Sequence, residues 1–132
     1  MAVLIDTDLL IDLEQGNDAV ESLLGEEERA ISVITVSELL HGALRATGDR
    51  RARRHAFVEH VIGGIQAIPI SETVARVHAD LWADLAARGE TIGAHDLWIA
   101  ATAVTHGFGV ATGDRTDFDR VPGLRVVAAE PD

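Results

Sequence analysis

The chain has 132 residues, 47% of them hydrophobic, and carries 22 acidic against 11 basic residues for a net charge of -11. That length suits a single domain over residues 1–132 with a substantial core, and the apolar fraction excludes a disordered chain. Without cysteine, disulfides and thiolate metal sites are excluded; the negative charge argues against passive nucleic-acid binding through a basic surface. No export signal is present and no apolar run approaches the roughly 18 residues of a membrane span, so a cytoplasmic location is expected. The charge is uneven. All 11 basic residues are arginine, and five fall between Arg45 and His60 against only Asp49 and Glu59.

Residues 2–5 form an unbroken apolar run into Asp6, as expected of a strand buried on both faces of a parallel sheet. A helical pattern (Leu9, Leu10, Leu13) starts at once, with Thr7 or Asp8 as its cap and an end near Gly16. A second short helix is expected over 18–24, then a solvated loop at Glu26-Glu27-Glu28 and a second strand over 30–34. From Thr35 the stripe Val36, Leu39, Leu40, Ala43 and Leu44 predicts a helix with Glu38 in its first turn. An arginine-rich helix over 49–62 stops at Gly63-Gly64. Ala67-Ile68-Pro69-Ile70 suits a strand end or edge.

Ser71 is the expected cap of the next helix, which places Val74, Val77, His78, Leu81, Trp82 and Leu85 on one face. Residues 94–106 are apolar nearly all round, so this helix should be central, and Asp96 in its first turn is its only acid. Residues 109–112 read as a strand of the same kind as the first, running into Gly113-Asp114-Arg115-Thr116-Asp117. A closing strand over 124–128 and a short frayed tail complete the chain. Strands alternating with helices imply parallel βαβ units.

Four acids recur in one kind of place: Asp6, Glu38 and Asp114 past strand ends, and Asp96 at the start of a buried helix. In a parallel sheet those ends share a rim, where ligands bind. Gathered carboxylates need a counter-charge or a proton, and hard divalent cations such as Mg²⁺ or Mn²⁺ meet that need while serving phosphodiester hydrolysis. Each acid also has a structural reading. Asp6 and Asp114 suit turns, Asp96 suits a helix N-terminus, and Thr35-Val36-Ser37-Glu38 fits a capping box.

Four segments carry a resemblance: Val3-Leu4-Ile5-Asp6-Thr7-Asp8; Thr35-Val36-Ser37-Glu38-Leu39 with Gly42-Ala43; Gly93-Ala94-His95-Asp96-Leu97-Trp98-Ile99-Ala100-Ala101; and Ala111-Thr112-Gly113-Asp114-Arg115-Thr116-Asp117-Phe118. In order and spacing they resemble the PIN-domain ribonucleases, above all the VapC-type toxins of toxin–antitoxin pairs. The resemblance implies a three-layer α/β/α fold with a mostly parallel central sheet. It also implies an acidic quartet of Asp6, Glu38, Asp96 and Asp114 binding Mg²⁺ or Mn²⁺, with the Thr112 hydroxyl orienting an acid or water. Asp117 matches a more variable acidic position that carries the fourth ligand in many relatives, and Asp8 is likewise variable. The implied activity is endoribonuclease, cutting tRNA, rRNA or mRNA to stop translation until an antitoxin blocks it. A homodimer is implied by the family alone.

Other residues are weighed beside that reading. Arg50, Arg51, Arg53 and Arg54 are candidates to hold RNA phosphates, or form a solvated helix face. His41 and His95 read as neighbours of the site rather than catalytic groups, and Trp82 and Trp98 as core or dimer-interface residues. Two other functions stay open. Asp6-Thr7-Asp8 also resembles the nucleophile motif of haloacid-dehalogenase-type phosphatases, with Asp6 taking the phosphoryl group, although the lysine that steadies phosphoaspartate there is absent. A non-catalytic RNA- or protein-binding module is the other.

Overall fold

The computed structural model describes residues 1–129. Strands β1 (Ala2–Ile5), β2 (Glu28–Ser32), β3 (Gln66–Ile68), β4 (Gly109–Ala111) and β5 (Val126–Val127) form one sheet in the order β3-β2-β1-β4-β5. Every pairing is parallel. The proline-containing segment thus supplies an edge strand, as expected. Between the strands lie helices α1 (Thr7–Glu14), α2 (Asp18–Leu24), α3 (Val33–Arg45), α4 (Gly48–Gly63), α5 (Glu72–Ala87) and α6 (Ala94–His106). None of the helices among the described residues is long and apolar enough to cross a membrane.

The apolar run of β1 explains the layering. Side chains alternate across a strand, so Val3 and Ile5 face one core with Leu9, Leu10, Leu24, Leu39 and Val58. Leu4 faces the other, with Ile99, Ala100, Ala103 and Phe118. All three β1 side chains are fully buried, each worth about 1.5–3 kcal/mol relative to exposure. One core draws on α1 to α4 and the other on α6, which gives three layers with the sheet in the middle.

Topology then places the site. The chain builds outward from β1 to β2 and β3, then returns to lay β4 and β5 on the other side. The boundary between β1 and β4 is therefore the switch point, where a crevice opens beyond the carboxyl ends of the strands. Asp6 and Thr112 are the first residues beyond those two ends. Pairing persists to the rim: the Asp6 N–H donates to the Ala111 carbonyl at 2.8 Å and the Thr112 N–H to the Val127 carbonyl at 3.0 Å.

Three boundaries differ from expectation. β2 starts and ends two residues early, because the buried Ser32 hydroxyl accepts the Ile34 N–H at 3.0 Å and caps α3. The β-branched Val33 and Ile34 imitate a strand in sequence but open the helix. Glu38 is therefore in the second turn of α3, and the capping box from Thr35 does not form. In α1 the cap is Asp6 itself, whose Oδ1 accepts the Thr7 N–H at 2.9 Å, rather than Thr7 or Asp8. β5 is two residues long, although the Arg125 carbonyl before it still accepts the Val110 N–H at 2.9 Å. The expected tail lies, from residue 130 on, outside the described residues.

Replacing the cap with Ser32→Ala should lower the unfolding free energy by about 1 kcal/mol in urea titration. An unchanged unfolding free energy would take the cap away from Ser32.

Candidate active site

A cavity of about 870 Å³ opens at the rim, with Asp6, Glu38, Asp96, Asp114 and Asp117 among its lining residues. Each acid arrives on a different piece of the chain and is oriented by a different donor. Asp6, at the start of α1, receives the Thr112 hydroxyl on Oδ2 at 3.0 Å. Thr112 is itself fully buried beyond β4, and the Asp114 N–H donates to its oxygen at 3.2 Å. That leaves its single proton for Asp6, an acceptor favoured by its charge.

Glu38 projects from α3. Its Oε1 accepts from the Thr7 hydroxyl at 2.9 Å, and its Oε2 lies 3.4 Å from His95 Nδ1. Asp96 stands in the first turn of α6, where the helix dipole favours a carboxylate. Asp117 reaches the same place from the loop after β4, its Oδ2 accepting the Gly93 N–H at 3.0 Å.

Asp114 behaves differently. It lines the cavity, yet it is exposed and its Oδ1 accepts from both the N–H of Thr116, at 3.0 Å, and its hydroxyl, at 2.7 Å. Those bonds hold its carboxyl below the usual range. It closes an Asx turn. Asp117, not Asp114, is the acid in contact with Asp96.

The electrostatics follow from crowding in a half-buried crevice. Burial pushes the Asp96 carboxyl up to about 7, helped by a hydrogen bond with Asp117 and the charges of Asp6, Asp117 and Glu38. Burial also raises Asp6, against the opposing hydrogen bonds from the Thr7 N–H and the Thr112 hydroxyl. Among the described residues, no group of three or more His, Asp or Glu side chains is disposed to hold a metal ion as it stands. Asp96 is engaged with Asp117, and Glu38 is held by Thr7 and His95. The chemistry of the set nevertheless fits a hard cation: every donor is a carboxylate oxygen, and the acids come together in one cavity.

Sequence reasoning did not assign Thr7 or the Gly93 backbone a role in the site. Thr7 could have been suspected as a hydroxyl beside Asp6 at a strand-to-helix junction; a backbone donor such as Gly93 leaves no trace in side-chain patterns. His95 meets Glu38 and His41 lines the cavity. Trp82 is 63% exposed and is not a core residue. Trp98 is half-buried and stacks on His78 with ring centroids 3.6 Å apart. Burial pushes the His78 imidazole down, toward its neutral form.

The family model of the PIN domain matches residues 3–124. Ribonuclease VapC1 of Rickettsia felis is 35% identical over 128 residues, spanning 96% of this chain and 96% of that protein. Ribonuclease VapC5 of Mycobacterium tuberculosis is 37% identical over 127 residues, spanning 96% and 92%. Among solved structures, VapBC-5 of Mycobacterium tuberculosis, from the VapBC family of toxin–antitoxin systems, superposes with a TM-score of 0.76. It is 34% identical and covers 98% of both chains.

The raised Asp96 has a measurable consequence. Its carboxyl titrates near 7 when folded against an ordinary 3.8, so the folded state binds the extra proton and stability falls as pH rises toward 7. In EDTA, the wild-type melting temperature should decline between pH 5 and pH 8, more steeply than that of Asp96→Asn, and the variant should be the more stable protein at pH 8. Equal slopes would contradict the crowding.

Proposed function

This chain belongs to the PIN-domain family and is a ribonuclease of the VapC group, and from that premise we propose that it is a Mg²⁺-dependent endoribonuclease. In this reading it is the toxin of a toxin–antitoxin pair and acts in the cytoplasm, cutting tRNA, rRNA or mRNA to stop translation. Mn²⁺ can stand in for Mg²⁺. The observation that carries the reading is the meeting of Asp6, Glu38, Asp96 and Asp117 in one cavity at the switch point, with Asp96 pushed up to about 7.

In the proposed site, those four carboxylates would hold the cation, with Asp96 and Asp117, now hydrogen-bonded to each other, among its ligands. When bound, the cation supplies Lewis acidity at the scissile phosphate and offsets the charge of the acids. The protein's own groups do the positioning. The Thr112 hydroxyl keeps one Asp6 oxygen fixed, Thr7 and His95 hold the two oxygens of Glu38, and the Gly93 N–H steadies Asp117. Asp114 shapes the loop between Thr112 and Asp117 rather than binding metal.

The phosphatase alternative finds no support at the nucleophile it needs. The charges that act on Asp6 are those of Glu38 and Asp8, the wrong sign to steady a phosphoaspartate. An antitoxin partner is proposed by likeness to the VapBC-5 complex; an arginine or lysine from it would add positive charge among these acids. A homodimer is also proposed, supported by the exposed Trp82 indole, a side chain that a second copy would cover.

Purified, antitoxin-free protein should cut RNA into discrete fragments only with Mg²⁺ or Mn²⁺ present. Asp96→Asn and Asp117→Asn should each lose about a hundredfold in rate, while Asp114→Asn should lose only about tenfold, the low end expected of a supporting group. Equal losses at 114 and 117 would return Asp114 to the metal. Independently of turnover, Mg²⁺ should raise the melting temperature of the wild type more than that of Asp96→Asn.

A further inference from the structure

Eleven arginines carry all the basic charge of side chains other than histidine, and the fold sorts them into two sets. Arg29, Arg76, Arg88, Arg115, Arg120 and Arg125 each pair with a carboxylate. Arg45, Arg50, Arg51, Arg53 and Arg54 make no ion pair among the described residues. All five sit at the end of α3 or on the first half of α4, and all are exposed. A chain with twice as many acids as bases could pair them readily; it leaves this one group unpaired.

Their position gives the group a direction. Arg50, Arg53, Arg54 and Phe57 line a second cavity of about 490 Å³, and that spacing puts them on one face of α4. This cavity shares Thr7, Ile11, Glu38 and Gly42 with the acidic one, whose own rim includes Arg45. Gly42 lies inside α3, where glycine weakens a helix. Its φ is not positive, and a Cβ built there would meet nothing within 4 Å. Neither backbone conformation nor crowding asks for glycine. What it does is leave open the wall that the two cavities share.

We infer that a single-stranded RNA leaving the acidic cavity crosses α3 at Gly42 and lays its phosphates on Arg50, Arg53 and Arg54. The inference rests on the ribonuclease reading above and adds the path of the substrate. Guanidinium groups are always charged and match phosphate oxygens in pairs. In a chain of net charge -11, a group of arginines without carboxylate partners among the described residues is the face that attracts a polyanion. Phe57, half-buried at the end of the row, gives an unpaired base a ring to stack on, which a duplex would not use.

The test uses an RNA of about 12 nucleotides, within the span of known single-strand sites, and the non-cutting Asp96→Asn background. The triple variant Arg50→Gln, Arg53→Gln, Arg54→Gln should weaken binding at least tenfold at low salt. It should also reduce the slope of log affinity against log salt by about 2, the value for three lost phosphate contacts on a single strand. Arg76→Gln, near the start of α5 and paired with Glu72, serves as the control and should change neither. With Asp96 intact, Gly42→Leu should melt no lower than wild type yet raise KM for the 12-mer far more than for a dinucleotide. An unchanged affinity and slope in the triple variant overturns the track. So does loss of binding to a glutamate-rich 12-residue peptide while RNA binding survives, because the groove would then take a protein segment. Should the wild type bind the 12-mer through these arginines but cut nothing, the ribonuclease reading fails and the track stands.

Discussion

Carboxylates packed into a half-buried crevice repel one another and lose hydration, and the rest of this molecule is arranged around tolerating that. Asp6, Glu38, Asp96 and Asp117 come from four separate segments, so no single element carries the whole strain. Each is met by a donor that fixes its direction: Thr112 on Asp6, Thr7 on Glu38, the Gly93 N–H on Asp117, and a shared hydrogen bond between Asp96 and Asp117. Two of the four, Asp6 and Asp96, also stand at helix N-termini, where the dipole favours negative charge. These donors orient the acids without neutralising them. The charge that remains is what a cation, or a basic group from a partner, can use.

The rim depends in turn on a sheet that is parallel throughout and ordered β3-β2-β1-β4-β5. Much of this was legible in the chain. The apolar run of β1 announces a strand buried on both faces, and Asp6 follows from where it ends. The uniformly apolar α6 announces a central helix, and its single acid stands out. Local rules failed where two of them competed. Val33 and Ile34 have strand propensity, but the Ser32 hydroxyl ahead of them starts a helix, and with that shift Glu38 ceases to be a cap. Trp82 fits the apolar stripe of α5, yet it lies at the margin of that stripe and emerges exposed.

Asp114 and Asp117 show a different kind of limit. Both are acids in one short loop after a strand, and nothing in their spacing says which carboxylate turns inward. The answer depends on Thr116, whose N–H and hydroxyl both reach Asp114, and on Gly93, whose N–H reaches Asp117 from 24 residues away. A contact of that sequence separation exists only once α6 is docked. Sequence can therefore name the loop that completes the site, while the choice within it belongs to tertiary structure.

The arrangement of positive charge carries the same logic outward. An acidic cavity alone would repel the phosphates it is proposed to cut, so approach has to be favoured by something nearby. Six arginines are committed to carboxylates; the other five make no ion pair among the described residues, and four of them, Arg45, Arg50, Arg53 and Arg54, line the two adjoining cavities. Unpaired arginines on one face cost solubility little in a chain of net charge -11, and they create a local attraction that the global charge denies. Gly42 joins the two regions by having no side chain. Acids, exposed arginines and the side-chain-free position between them line two adjoining cavities, and an RNA strand with a metal ion, as proposed, would answer both charges at once.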